Sequence, residues 1–305
     1  MTATSIARAE RRAPRPKAER RKWSGWGFVA PFLIVFLFAL VAPVAYAVYL
    51  SLFQDRLIGG NSFVGLANYA QALSDPKFWE SLGRVTLFLV VQVPIMLALA
   101  LVAALALDSA RLKWTPLFRL SIFLPYAVPA VVASLIWGFM YGSQFGLVGN
   151  LDDFFHIQLP DPFAGNIVLA SIGNINTWEF VGYNMLIFYS ALRVIPGDLY
   201  EAADLDGAGA FRVIRSIKLP SLRPAILIAT IFSIIGSFQL FNEPNILKPL
   251  APDAISSYFT PNMYAYNLSF AGQEYNYSAA IAIIMGLITA VIAYVVQLTG
   301  SRREF

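Results

Sequence analysis

The sequence has 305 residues, of which 58% are hydrophobic and only 13% charged, with a net charge of +4. Its mean hydropathy of +0.62 is too high for a water-soluble domain of this length, so the chain belongs in a bilayer. With no cysteine, it has no disulfide framework, thiol chemistry or Cys-based metal site.

A hydrocarbon core about 30 Å thick takes about 20 apolar helical residues to cross. In chain order, the stretches of that length free of Asp, Glu, Lys and Arg are Ser24 to Gln54, Val85 to Leu107, Leu120 to Gly142, Pro224 to Asn242 and Tyr275 to Ser301. Pro162 to Leu192 joins them as the fourth of six spans, although it carries Glu179. The expected class is all-α, a polytopic membrane protein with six transmembrane helices, because a segment in lipid must satisfy its backbone polar groups internally. Pro94, Pro125 and Pro129 fall within the second and third spans, Gly173 and Gly182 within the fourth. Prolines bend helices and would suit a bundle with a cavity; both residue types are also common in membrane helices generally.

Lys and Arg set the orientation through the positive-inside rule. The N-terminal tail carries Arg8, Arg11, Arg12, Arg15, Lys17, Arg20, Arg21 and Lys22; the second connection has Arg111, Lys113 and Arg119. The fourth has Arg193, Arg212, Arg215, Lys218 and Arg223, and the C-terminal tail Arg302 and Arg303. The other three connections share Arg56, Lys77, Arg84 and Lys248. Both termini are therefore expected in the cytoplasm, with the basic tail anchoring on anionic lipid. A signal peptide ending in Ala45 to Ala47 is the alternative, and would leave five spans. The expected organisation is a basic cytoplasmic tail over 1–25, a first transmembrane helix over 26–53, an extracytoplasmic connection over 54–81, a core of five helices over 82–300 and a cytoplasmic tail over 301–305.

Two spans carry polar faces. Asn176, Glu179 and Tyr183 recur at spacings of three and four, on one side of a helix, flanked by Trp178 and Asn184. An ionisable residue in a span usually faces a bundle interior or a water-filled path, so this face is a candidate pathway lining; snorkelling or a structural pairing of Glu179 is the other reading. Gln239, Asn242 and Glu243 repeat the spacing in the fifth span, where Pro244 is expected to break the helix.

Between these spans lies "EAADLDGAGAFRVIRSIKLPSLRP", Glu201 to Pro224. It reads as two short helices. Glu201, Asp204 and Asp206 are expected near a helix start, where the dipole favours negative charge; Gly207 and Gly209 allow a sharp turn or close approach. Phe211, Ile214 and Ile217 then share one side of an amphipathic helix, stopped by Pro220 and Pro224. Composition leaves open whether this element lies on the inner leaflet or docks another protein.

The same run resembles the signature loop of the membrane subunits of binding-protein-dependent ATP-binding-cassette importers. Their pattern of E-A-A, then D-G-A, an apolar residue, I-x-L-P and a final Pro is matched by Glu201, Ala202, Ala203, Asp206, Gly207, Ala208, Phe211, Ile217, Leu219, Pro220 and Pro224. "WEFVGYNMLIFYSALRVIPGDLY" and "FVGLANYAQALSDPKFW" are similar to the carbohydrate branch, in particular the maltose-type first permease, and the likeness runs from Trp26 to the C-terminus. The resemblance implies a type I importer permease fold and a coupling loop over 194–224. That loop would sit in a cleft of a separate ATPase, with Glu201 making a charge contact, Gly207 permitting the turn and Phe211 filling the cleft. It also implies substrate contacts at Asn176, Glu179, Phe180 and Tyr183 and around Gln239, Asn242 and Glu243.

The partners implied are a second permease, two ATPase subunits holding ATP and Mg, an extracytoplasmic solute-binding protein and a sugar, in a bacterial or archaeal cytoplasmic membrane. No G-x-x-x-x-G-K-[ST] phosphate loop occurs, so no nucleotide cofactor is expected in this chain and it is not expected to be an enzyme. The absence of a phosphate-binding cation on the two polar faces favours a neutral sugar over a glycerophosphate. An ion-coupled secondary carrier using Glu179 or Glu243 is the alternative, although it leaves the loop unexplained and usually shows internal repeats. The single histidine, His156, stands in an outer loop without a metal-binding or catalytic constellation.

Overall fold

A computed structural model describes residues 22–56, 60–109, 112–143 and 146–301. The basic tail over 1–21, Arg111, Arg302 and Arg303 lie outside the described residues. The elements are α1 (Lys22–Phe36), a π-helical turn (Leu37–Val41), α2 (Ala42–Ser51), β1 (Phe53–Arg56), β2 (Gly60–Phe63), α3 (Ala67–Ser74), α4 (Pro76–Leu107), α5 (Thr115–Phe123), a 3-10 turn (Leu124–Ala127), α6 (Ala130–Met140), α7 (Leu147–Phe155), α8 (Val168–Leu192), α9 (Gly197–Leu205), α10 (Ala210–Val213), a second π-helical turn (Ile214–Lys218), α11 (Leu219–Ser221), α12 (Arg223–Phe238), α13 (Asn242–Leu247), α14 (Pro261–Phe270) and α15 (Tyr275–Ser301). The all-α expectation holds apart from the small antiparallel hairpin, with Phe53 opposite Phe63.

The chain divides into two compact units at Ala47 and Val48. In the first, the helix exposes Trp26, Phe28, Phe32 and Phe38. Apolar side chains without a polar stripe are what a lipid-facing span requires.

Among the described residues four helices are long and apolar enough to cross a membrane: Trp26–Ser51, Pro76–Leu107, Arg223–Leu247 and Tyr275–Gly300. The second begins nine residues before the charge-free stretch. Asp75 caps it by accepting from the Lys77 N–H at 2.9 Å, and Pro76 occupies the first turn, where its missing N–H costs nothing. The 32 residues of α4 rise about 48 Å at 1.5 Å each, longer than a hydrocarbon core about 30 Å thick requires. The fourth expected span is α8, 25 residues long, whose amides and Glu179 hold its hydropathy down.

The third span is not one rod. Thr115–Ala127 and Ala130–Met140 meet at 98°. Val128, which precedes Pro129, is extended at φ −79°, ψ 128°, the conformation a following proline imposes, and neither Pro125 nor Pro129 has an N–H for the helical ladder. The fifth span breaks too, but earlier than expected. α12 ends at Phe238 and α13 starts at Asn242, with Pro244 in its first turn, where proline is tolerated because the N–H has no helical partner.

Where lipid is as apolar as leucine, small residues rather than hydrophobicity bring helices together. Ala100 and Ala104 of α4 accordingly pack against Met185, Phe188 and Leu192 of α8 and Ala225 and Ala229 of α12. Gly182 of α8 faces the α5 backbone so closely that a Cβ would fall 2.1 Å from the Ile122 carbonyl oxygen. This glycine therefore has a packing reason of its own.

Candidate functional site

The polar faces of α8 and the α12–α13 break meet. Asn176, Phe180, Tyr183, Gln239, Asn242 and Glu243 all line one cavity of about 400 Å³. Residues 239–241 put non-helical backbone at its wall, which a membrane protein tolerates where the backbone lines a cavity. Glu179 is different. It is not among the lining side chains but 3% exposed, with its carboxyl hydrogen-bonded to Glu243, which also bonds Asn176. The Glu179 Oε2 atom has no partner among the described residues. Its place is thus in the packing behind Glu243 rather than at the cavity surface, although the spacing puts it on the same helical face as Asn176, Phe180 and Tyr183.

Two contributors, Tyr126 and Gln92, were not singled out by the spacing, and Asn184 was noted only as a flanking residue. Tyr126, held in the 3-10 turn between Pro125 and Pro129, stacks on Tyr183 with ring centroids 4.8 Å apart and meets Phe180 edge-on at 5.8 Å. Gln92 of α4 donates through Nε2 to Asn176 Oδ1 at 3.0 Å and to Thr177 Oγ1 at 3.2 Å. Asn184 donates to the Phe180 carbonyl at 3.0 Å and, like Gln92 and Met96, lines the cavity. Gln92 is an amide within an otherwise apolar run, a signal that a search for charge passes over. The signal for Tyr126 was the pair of prolines around an aromatic residue.

The cavity offers amide donors and acceptors, one carboxyl at its surface and flat aromatic rings, with no Lys, Arg or His among the described residues of its wall. Such a wall can hydrogen-bond hydroxyl groups in both directions and stack a ring face. Among the described residues no group of three or more His, Cys, Asp or Glu could hold a metal ion. His156 is exposed and ends α7 in the left-handed region at φ 53°, which is a capping position.

Glu201, Ala202, Asp206 and Gly207 are exposed, Ala203 and Ala208 half-buried, and Phe211 is 76% exposed. The helix starts earlier than expected. α9 begins at Gly197 after Pro196, so Asp198 occupies its first turn while Asp204 and Asp206 fall at its C-terminal end, the unfavourable end of the dipole. Gly207 does make the turn. At φ +66° it lets its N–H reach the Asp204 carbonyl at 3.0 Å and the Ala208 N–H reach the Ala203 carbonyl at 2.9 Å, the paired bonds of a Schellman cap. Gly209, at φ −68°, instead caps the start of α10. Ile214 and Ile217 are half-buried whereas Phe211 is not, so the three do not share one buried face. Pro220 and Pro224 do not stop the helix; each sits in the first turn of a new one.

An α-helical chain with several membrane-crossing helices and a polar cavity at broken helices has the architecture expected of a membrane transport subunit. Residues 66–303 match the family model of the binding-protein-dependent transport system inner membrane component. The chain is 34% identical over 279 residues to the lactose transport system permease protein LacF of Rhizobium radiobacter, covering 89% of this chain and 92% of that one. It is 30% identical over 311 residues to the arabinooligosaccharides transport system permease protein AraP of Bacillus subtilis, covering 94% and 95%. Its fold matches a chain of a bacterial ATP-binding-cassette transporter involved in import of the acidic polysaccharide alginate, with TM-score 0.80 and 17% identity over 93% of this chain and 96% of that chain. The protein belongs to the binding-protein-dependent transport system inner membrane component family. Membership selects the importer over the ion-coupled carrier and places ATP hydrolysis outside this chain.

Proposed function

We propose that the protein is the permease subunit of an ATP-driven, binding-protein-dependent importer of a neutral sugar. The observation that carries this reading is the cavity where Asn176, Phe180 and Tyr183 of α8 face Gln239, Asn242 and Glu243 of the α12–α13 break. Its amides and stacked tyrosines suit hydroxyl-rich rings, and a carboxyl without a neighbouring cation disfavours anionic solutes. The similarity to lactose and arabinooligosaccharide permeases supports a neutral saccharide.

In this reading the chain forms half of the pathway, a second, similar permease the other half, and a solute-binding protein delivers sugar from outside. The loop over 194–224 docks into one of two ATPase subunits, which hold ATP and Mg. Glu201, Ala202, Ala203, Asp206, Gly207, Ala208 and Phe211 form the docking surface; an exposed Phe beside an exposed turn is the kind of anchor a cleft accepts. Both termini lie in the cytoplasm. The domain organisation retains a core over 82–300 and a connection over 54–81, with α4 starting at Pro76 rather than at the boundary. ATP-driven closure biases a two-state change between inward- and outward-facing cavities.

The test is to tag the chain, extract it gently from its native membrane and identify stoichiometric partners. The binding protein found with it is then screened against lactose, maltose, arabinooligosaccharides and glycerol phosphate. Recovery of an ATPase and a second permease, with a neutral sugar stimulating ATP hydrolysis, is the expected result. A lone chain, under conditions that preserve a known importer, overturns the proposal; stimulation by glycerol phosphate alone overturns the neutral-sugar assignment.

A further inference from the structure

Asp108 caps the C-terminal end of α4, and Lys218 closes the π-helical turn of the 194–224 loop. Lys218 Nζ donates to Asp108 Oδ2 at 2.6 Å, with the two side chains only 14% and 8% exposed. Among the described residues this is the one ion pair that joins separate elements, the other being Glu80 with Arg84 inside α4. The same ammonium lies 5.7 Å from the Tyr200 ring of α9, so a single cation holds both halves of the loop to the end of one helix.

The tip of the loop has little other purchase. Leu205 and Phe211 are 90% and 76% exposed. Immediately above Asp108, by contrast, Leu107, Ala104 and Ala100 are locked against α8 and α12. Farther along the same helix, Met96 and Gln92 line the cavity; the stretch from Asp108 to Gln92 rises about 24 Å at 1.5 Å per residue. A packed helix moves as a body rather than deforming. A shift of the loop delivered to Asp108 therefore arrives at the cavity wall.

We infer that the Lys218–Asp108 pair is the strut through which the loop moves α4, and with it Gln92 and Met96, so that these two charged groups are positioning residues for transport. The inference rests on the reading of the loop as the ATPase-docking element. A sheltered pair is suited to the task because removing one partner strands the other charge, which resists separation.

The experiment uses the full chain assembled with its ATPase and second permease in lipid nanodiscs. The chain has no native cysteine, so a Met96→Cys thiol is its sole maleimide target, and its labelling rate reports on the cavity wall whatever the sugar. Rates are compared without nucleotide and with Mg-ATP plus vanadate, in backgrounds with the native pair, Lys218→Met, Asp108→Asn and the swapped Asp108→Lys/Lys218→Asp pair. The expected result is that nucleotide changes labelling about tenfold with the native pair and less than about twofold in either single variant, with the swap restoring the response. ATP hydrolysis and the amount of bound ATPase stay within about twofold throughout.

An equal nucleotide response in all backgrounds overturns the strut and leaves the docking loop standing. Failure of any ATPase to bind the unaltered chain overturns the loop reading and the strut together. If the single variants do not assemble, the swapped pair decides: a native response supports the strut, and its loss overturns it.

Discussion

Asp75 Oδ2 accepts a hydrogen bond from the Tyr264 hydroxyl at 2.5 Å, joining the start of α4 to α14 across 189 residues of sequence. The same oxygen accepts from Tyr277 at 2.8 Å, and Oδ1 caps α4. One carboxylate thereby gathers α4, α14 and α15. Burial pushes the Asp75 carboxyl up, but the two tyrosine hydroxyls, the Lys77 N–H and the Lys77 charge outweigh burial and leave it below its ordinary 3.8. Burial and the bond to Asp75 raise Tyr264, which keeps its hydroxyl a donor.

A carboxyl with a lowered folded-state pKa stabilises the fold above its unfolded-state pKa and loses that contribution as pH falls through the folded value. Asp75→Ala should cost about 2 kcal/mol at pH 7, because it removes charge-assisted hydrogen bonds and a helix cap. Thermal unfolding in detergent checks this, and the gap between native protein and variant should narrow below about pH 4. A gap that stays constant from pH 7 to pH 3 contradicts the assignment.

Gly182→Ala should destabilise by about 2 kcal/mol or more, since a Cβ 2.1 Å from the Ile122 carbonyl oxygen forces α5 and α8 apart. The neighbouring Gly173, where the nearest atom is the Gln92 side chain at 3.3 Å, should tolerate alanine with a smaller loss. Melting temperatures of the two variants, measured side by side, test the ordering.

Tyr183→Ala should lower sugar-dependent turnover of the assembled complex about tenfold, the equivalent of about 1.4 kcal/mol, within reach of one lost aromatic contact. Tyr126→Ala should do the same, as the two rings stack. The double variant should lose less than the product of the single effects. Wild-type transport by both single variants would remove the rings from the pathway.

Gly207→Val should cost about 1–2 kcal/mol locally, because a β-branched residue is strained at φ +66°. The loop would lose its Schellman cap while the spans remain inserted. Reduced ATPase recovery with unchanged membrane yield is the expected readout. Gly209→Val, at an ordinary φ, should recover more ATPase than Gly207→Val.

Sequence alone determined that the chain is a helical membrane protein, where most of its spans lie, and which residues on two of them are polar. These depend on local quantities, namely hydropathy over about 20 residues and side-chain spacing on a helix. The glycine turn at 207 was legible for the same reason. Tertiary structure decided what meets what. It brought Tyr126 and Gln92 into the cavity, withdrew Glu179 behind Glu243, and paired Asp108 with Lys218 and Asp75 with Tyr264. Each of these depends on where chain breaks at prolines and close approaches at glycines aim whole helices, and partners 110 or 189 residues apart leave no local pattern in the sequence.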